Sequence, residues 1–222
     1  MKVAVIRFPG SNCDQDAYHA LRSDVGIGAE YVWHQDRSLD GFDAVFVPGG
    51  FSYGDYLRCG AIASEAPIME AVEQFAQDGR PVIGVCNGFQ ILCERGLLPG
   101  ALMLNVERKF LCQNVELEAA TKRCLWTAGV DRVISIPIAH GEGRYICDDE
   151  TLKRLNGEDL VAFRYVNGNP NGSTDRIAGV INGRGNVLGL MPHPERATRA
   201  NLGGTDGMLI LKALTLIETS SR

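Results

Sequence analysis

The stretch Pro81-Val82-Ile83-Gly84-Val85-Cys86-Asn87-Gly88-Phe89-Gln90-Ile91-Leu92 sets a cysteine between two glycines, each two residues away. An apolar, β-branched run leads into it, and Phe89 and Leu92 follow at helical spacing, so the pattern predicts strand, sharp turn at Cys86, then helix. This is the nucleophile-elbow arrangement with cysteine in place of serine. Glycines are needed there because side chains would strike the neighbouring strand and helix, while a helix N-terminus favours the attacking thiolate. The backbone N–H of Asn87, first in that helix, would point where an oxyanion forms. A small buried cysteine in a glycine-containing turn leaves the same trace, so the elbow counts only if the chain also supplies the nucleophile's partners.

A thiol nucleophile needs a base, and the base needs a third group to orient it. Four histidines are present. In Met191-Pro192-His193-Pro194-Glu195 the prolines restrict the backbone and hold His193 extended. Residues two apart in an extended segment share a face, so Glu195 is expected to reach the ring nitrogen of His193 that does not face Cys86. His140, in Ala139-His140-Gly141-Glu142-Gly143, is the second candidate base, though its glycine-flanked setting reads better as a substrate-contacting loop. His19 and His34 have no acidic or thiol partner at useful spacing and are read as structural.

A second glycine signal, Val47-Pro48-Gly49-Gly50-Phe51-Ser52-Tyr53-Gly54-Asp55, follows a strand-like run. Strand ends of a parallel sheet converge on one edge, so this loop is expected beside Cys86, where its N–H groups could supply a second oxyanion donor. No phosphate-cradling G-x-x-x-x-G-K-[ST] or G-x-G-x-x-G sequence occurs, so nucleotide binding by those means is not expected.

The elements that must position these residues alternate. Val3–Ile6, Tyr31–Trp33, Ala44–Val47 and Val82–Val85 read as buried strands separated by helical patterns, the rhythm of a parallel sheet with flanking helices. One helix opens after Ser11-Asn12 and runs past Ala17 and Leu21, closed by Gly26-Ile27-Gly28. Another buries Ile68, Met69, Val72, Phe75 and Ala76, closed by Asp78-Gly79. After Leu98-Pro99-Gly100 the pattern changes to strands at Val115–Glu118, Val133–Ile136 and Val161–Tyr165. Asn182-Gly183 then joins two runs as a hairpin, making an antiparallel C-terminal extension. A last helix uses Leu209, Ile210, Ala213, Leu214 and Ile217, and 166–173 reads as a flexible loop. The 222 residues carry no linker or repeat, so one domain over 1–222 is expected.

A net charge of −5 without a basic block argues against nucleic acid as a partner. No apolar run approaches membrane-spanning length and the N-terminal run is too short for a signal peptide, so the expected location is the cytoplasm. Seven scattered cysteines without a Cys-x-x-Cys pair suggest neither a disulfide framework nor a metal site; most are expected to be buried thiols.

Taken together, Phe8-Pro9-Gly10-Ser11-Asn12-Cys13-Asp14, the loop Pro48–Gly60, Gly84–Leu92 and Met191–Arg196 resemble the class I (triad) glutamine amidotransferases, which have a flavodoxin-like α/β fold. More narrowly, Cys86-Asn87-Gly88-Phe89-Gln90 and Phe51-Ser52-Tyr53-Gly54-Asp55 are similar to the glutaminase subunits of phosphoribosylformylglycinamidine synthases. The resemblance implies hydrolysis of L-glutamine through a glutamyl thioester on Cys86, with His193 as proton carrier and Glu195 holding it. It implies a glutamine pocket made by Gly49, Gly50, Phe51, Asn87 and Gln90, with the His140-Gly141 loop on the substrate's amino-acid end. It further implies a separate synthetase subunit that uses ATP and magnesium, a small bridging subunit, and no cofactor in this chain. The residues by themselves also fit another cysteine hydrolase on the same fold, a peptidase or esterase-like protein. A redox-sensing module fits less well, since a sensor needs no oriented base.

Overall fold

The computed structural model describes residues 1–216. Its strands are β1 (Lys2–Arg7), β2 (Gly28–Trp33), β3 (Ala44–Val47), β4 (Val82–Val85), β5 (Ala101–Met103), β6 (Leu111–Ala119), β7 (Ile134–His140), β8 (Arg144–Ile146), β9 (Val161–Val166), β10 (Ile177–Ile181) and β11 (Val187–Leu190). The α-helices are α1 (Asp14–His19), α2 (Pro67–Gln77), α3 (Asn87–Glu94), α4 (Asp149–Gly157) and α5 (Gly207–Leu211). Among the described residues, nine strands form one sheet in the order β2-β1-β3-β4-β11-β10-β9-β6-β7. The first five run parallel. From β11 onward every pairing is antiparallel, which gives the expected extension. β5 and β8 make a separate two-stranded sheet that the sequence pattern does not reveal.

The parallel strands are apolar on both faces because helices cover both; β3, β4 and β11 are buried at every position. α2 buries the stripe Ile68, Met69, Val72, Phe75 and Ala76, as its spacing requires. α3 differs, since Asn87 to Leu92 are all buried, which encloses the helix that follows Cys86.

The strand runs, the hairpin and the helical stripes are where the sequence places them, with several departures. The first helix ends as α1 and continues as a π-type turn over Ala20–Val25; Gly26, at φ 82°, stops it, but Gly28 already pairs in β2. The hairpin between β10 and β11 closes through a wider loop, with Gly185 and not Gly183 in the left-handed region and the Asn182 side chain bonding Asn186 and Val187. The last helix is α5 followed by a 3₁₀ segment, Lys212–Leu216, with Ile210, Ala213 and Leu214 buried; Ile217 lies outside the described residues. α4 is an element that apolar periodicity does not announce, although Asp148 caps it by accepting from the Thr151 N–H at 2.8 Å, the signal an Asp-x-x-Thr spacing could have given.

Segment 166–173 is not a loose loop. Asn171 is fully buried, donating to the Gly143 carbonyl at 2.7 Å, and Ser173 accepts from the Tyr145 N–H at 3.0 Å. Composition signals a turn; the side-chain amides, by bonding neighbouring backbone, fix it in place. Nor are most cysteines buried: Cys13, Cys86 and Cys124 are, Cys59, Cys93 and Cys147 are partly so, and Cys112 is exposed on β6.

Candidate active site

Carboxyl ends of β1, β3, β4 and β11 share one edge of the sheet, so the segments after Arg7, Val47, Val85 and Leu190 meet there. β7 lies five positions from β4 in the sheet, yet returns to the same place. Its Pro137 carbonyl accepts from the His193 N–H at 2.8 Å, and its Ala139 carbonyl is 3.9 Å from Cys86 Sγ. The antiparallel extension therefore curls over the edge and roofs the site.

Cys86 adopts φ 52° and ψ −108°, a conformation that non-glycine residues enter at a cost of order 1–3 kcal/mol. Its N–H donates to the Leu190 carbonyl at 2.8 Å and its carbonyl accepts from the Gln90 N–H at 3.2 Å, so strand and helix fix both ends of the turn. The flanking glycines are close-approach positions, as the elbow requires. A Cβ on Gly84 would lie 2.6 Å from the Gly88 carbonyl oxygen, and one on Gly88 would overlap the Val47 carbonyl.

β11 pairs in register with β4, Leu190 beside Val85, so Met191-Pro192 brings His193 next to Cys86. His193 and Glu195 are buried, with Nδ1 2.6 Å from Oε1. The route differs from the extended one expected. Pro194–Arg196 forms a 3₁₀ turn that carries the carboxylate back onto the ring. Proline is favourable at the first position of such a turn, and that overrides the two-residue alternation. Burial works against the imidazolium, but the Glu195 carboxylate and the Cys86 sulfur outweigh it and hold the His193 pKa up at about 10. A thiol beside an imidazole whose far nitrogen is fixed by a carboxylate can attack a carbonyl carbon and return a proton to the leaving group.

His140, at the end of β7, is differently equipped. Asn105 donates through Nδ2 to the His140 and Lys109 carbonyls, at 2.9 and 2.8 Å, which turns its Oδ1 toward the ring. His140 Nδ1, 3.1 Å from that oxygen, must be the donor, leaving Nε2 an unprotonated acceptor with no partner. Burial, then the charge of His193, push its pKa down to about 4, so the ring is neutral near pH 7. No carboxylate orients it, which removes the case for His140 as the base. His34 is structural, bonding the Tyr53 hydroxyl at 2.6 Å and so tethering the Gly49–Asp55 loop. His19 packs edge-on against Tyr18.

A cavity of about 170 Å³ opens over Cys86 and His193, over ten times the ~10–15 Å³ that one water needs. Of the expected pocket residues, Gly50, Phe51, Gln90, His140 and Gly141 line it, with Phe51 half exposed at the site. Gly49 and Asn87 do not. Gly49 is packed beneath, where a Cβ would come within 2.8 Å of His193 Cε1 and 3.2 Å of Cys86 Cβ. Asn87 spends its side chain on the scaffold, donating to Gln90 Oε1 at 2.9 Å and accepting from the Ser52 N–H at 3.3 Å.

Lining residues not singled out from sequence include Asp55, Glu142, Phe110, Arg196 and Cys13. Cys13 follows the first strand at the same edge, a position that could have flagged it. Burial, then Glu195, push its thiol up to about 12, and Arg196 Nη2 lies 3.1 Å from its sulfur. Donor atoms of Cys13, His193 and Glu195 lie within 4.8 Å of one another. His193 Nδ1 is already engaged by Glu195, and the Arg196 guanidinium sits against the sulfur, so this group suits proton handling better than a cation.

Residues 1–203 match the family described as the CobB/CobQ-like glutamine amidotransferase domain. Among solved structures, that of PurLQS from Thermotoga maritima is 44% identical over 98% of both chains, with a TM-score of 0.89. A GMP synthase component from Thermoplasma acidophilum is 16% identical over 100% of this chain and 98% of its own, TM-score 0.64. A glutamine amidotransferase from Thermotoga maritima is 14% identical over 100% of this chain and 86% of its own, TM-score 0.57. At those identities the last two speak to the fold alone. With the family's pattern spanning most of its length, the chain belongs to the CobB/CobQ-like glutamine amidotransferase domain family.

Proposed function

We propose that this chain is the glutaminase subunit of a phosphoribosylformylglycinamidine synthase, with Cys86 as nucleophile, His193 as acid–base and Glu195 as the group that holds His193. The observation that carries the reading is the buried Glu195–His193 pair beside a strained Cys86 at the floor of one cavity. Likeness over nearly the whole chain to PurLQS from Thermotoga maritima supports the choice of synthase.

Cys86 Sγ attacks the side-chain amide carbon of glutamine, and the carbonyl oxygen takes up negative charge against the Asn87 N–H and an N–H of the Gly49-Gly50 segment. The His193 imidazolium gives its Nε2 proton to the departing nitrogen, so the C–N bond breaks with loss of ammonia and a glutamyl thioester remains. Water then gives a proton to His193 and attacks the thioester; glutamate leaves and the thiol–imidazole pair is restored. Net, glutamine and water become glutamate and ammonia. The ammonia passes to a cytoplasmic synthetase subunit that activates formylglycinamide ribonucleotide with ATP and magnesium, with a small bridging subunit between them.

Ammonia release from glutamine by the complex, set against hydrolysis of peptide and ester substrates, tests the reading. Glutamine should be the substrate hydrolysed; turnover of peptides with glutamine untouched would assign the site to a different cysteine hydrolase.

A further inference from the structure

The carboxylate of Glu195 has one oxygen whose surroundings its contact with His193 does not explain. Oε1 faces the ring, but Oε2 is buried without a hydrogen bond among the described residues. A second cavity, lined by Asp16, Glu195 and Arg196 among others, opens nearby, yet the oxygen itself is shielded from it. A buried carboxylate oxygen with neither donor nor water stays ionised where positive charge offsets it. His193 supplies one such charge.

The other comes from Arg196, the last residue of the same 3₁₀ turn. Its Nε is 2.9 Å from Asp16 Oδ2 on α1, and its Nη2 is 3.1 Å from the sulfur of Cys13, just ahead of α1. Cys13 in turn sits against the triad. Its sulfur is within 4.8 Å of donor atoms of His193 and Glu195, and its N–H donates to the Gly49 carbonyl at 3.3 Å. Burial works against the charge on Arg196, but the Cys13 sulfur, then the Asp16 and Glu195 carboxylates, outweigh it. Asp16 is partly exposed and shares its charge with water, so it does not cancel the guanidinium before Glu195 feels it. With a thiolate, an imidazolium and a carboxylate, the reactive triad holds one negative charge in excess; the guanidinium balances it.

We propose that Arg196 is a positioning residue for the glutaminase reaction: seated by Asp16 and Cys13, it supplies from outside the triad the countercharge that keeps Glu195 locked on His193. This rests on the glutaminase reading and extends the support of the triad to α1. The reacting groups are Cys86 and His193, and Arg196 acts on them through Glu195.

The test, run on the full chain assembled with its synthetase partner, reads kcat and KM for L-glutamine beside the thermal melting temperature. Arg196→Met keeps the aliphatic stem and removes the charge; it should lower kcat about ten- to a hundredfold, the range for losing charge-assisted contacts, with KM within about threefold. Arg196→Lys, which returns the charge without the planar fork, should recover most of that loss. In a Glu195→Gln background, where no carboxylate is left to balance, Arg196→Met should cost little more than Glu195→Gln alone. Arg196→Gln gives the same comparisons should the methionine variant fail to fold. A tie that only braces α1 against the turn would lower the melting temperature and leave kcat of the folded enzyme intact. That result, a lysine variant as slow as the methionine one, or losses at Glu195 and Arg196 that simply multiply, would overturn the proposal. An unaltered complex that releases no ammonia from glutamine would instead overturn the glutaminase reading.

Discussion

Nδ1 of His193 lies 2.6 Å from Oε1 of Glu195, and both side chains are buried, so the carboxylate holds that ring and its positive charge. Replacing His193 by alanine should therefore cost more than replacing Glu195, because the first removes proton transfer and the second only its orientation. Each loss should fall within the ~10²–10⁴-fold range of general acid–base contributions. His140→Ala should cost less than either in kcat. Steady-state rates of the three variants decide it; a largest loss at His140 would mean the base is misassigned.

The same pair sets a pH dependence of folding. The His193 pKa is about 10 in the folded chain against an ordinary 6.5, so the pair's stabilisation is fully present below about pH 6.5 and is lost as pH rises through 10. Over that window the folded state holds the extra proton and stability should fall by up to about 1.4 kcal/mol per pH unit. Glu195→Gln removes the charge that raises the pKa and should flatten the slope. Urea unfolding midpoints at pH 7, 8.5 and 10 measure it, and equal slopes for both proteins would show the pair is not ionised.

Much of this site is legible in sequence because the elbow is a local steric requirement. Gly84 and Gly88 must be glycines where strand, helix and β3 touch, so their spacing around Cys86 announces the turn. His193 and Glu195 are legible because prolines fix their backbone, though the 3₁₀ turn that joins them is not, since local alternation and turn propensity compete there. Asp55 and Glu142 reach the cavity only through tertiary closure, by a loop with left-handed residues at Tyr53 and Asp55 and by an extension that curls back over the edge. Neither leaves a periodic trace. The buried Asn171 is the converse case, a residue of turn-like composition that the fold uses as an internal strut.

Gly49 should tolerate no side chain. Its Cβ would press on His193 Cε1 at 2.8 Å and on Cys86 Cβ and Cys13 Sγ at 3.2 Å, all within packed surroundings. Gly49→Ala should cost about 1–3 kcal/mol of stability, as overpacking does, and reduce glutamine hydrolysis well beyond what the drop in folded fraction explains. Thermal melting paired with rates at a temperature where the variant is fully folded separates the two effects; unchanged rates would mean the loop is not coupled to the reacting groups.

An electrophilic glutamine analogue should label Cys86 and spare the other thiols. Cys13 is the sharpest control, since it lines the same cavity yet burial and Glu195 push its thiol up to about 12, far from the thiolate needed for attack. Peptide mapping after labelling reads the site directly, and modification of Cys13 with Cys86 intact would displace the elbow from the mechanism.

In the proposed reaction this chain contributes ammonia and nothing else to a synthesis completed elsewhere. A complex rebuilt with Cys86→Ala should lose glutamine-dependent formation of formylglycinamidine ribonucleotide. It should retain formation when ammonium is supplied in excess at alkaline pH, where more free NH₃ is present. Alanine keeps the backbone of the elbow and removes only the sulfur, so docking should persist. Retained ammonia-dependent synthesis with glutamine-dependent synthesis abolished is the predicted result; loss of both in a complex that still assembles would contradict it.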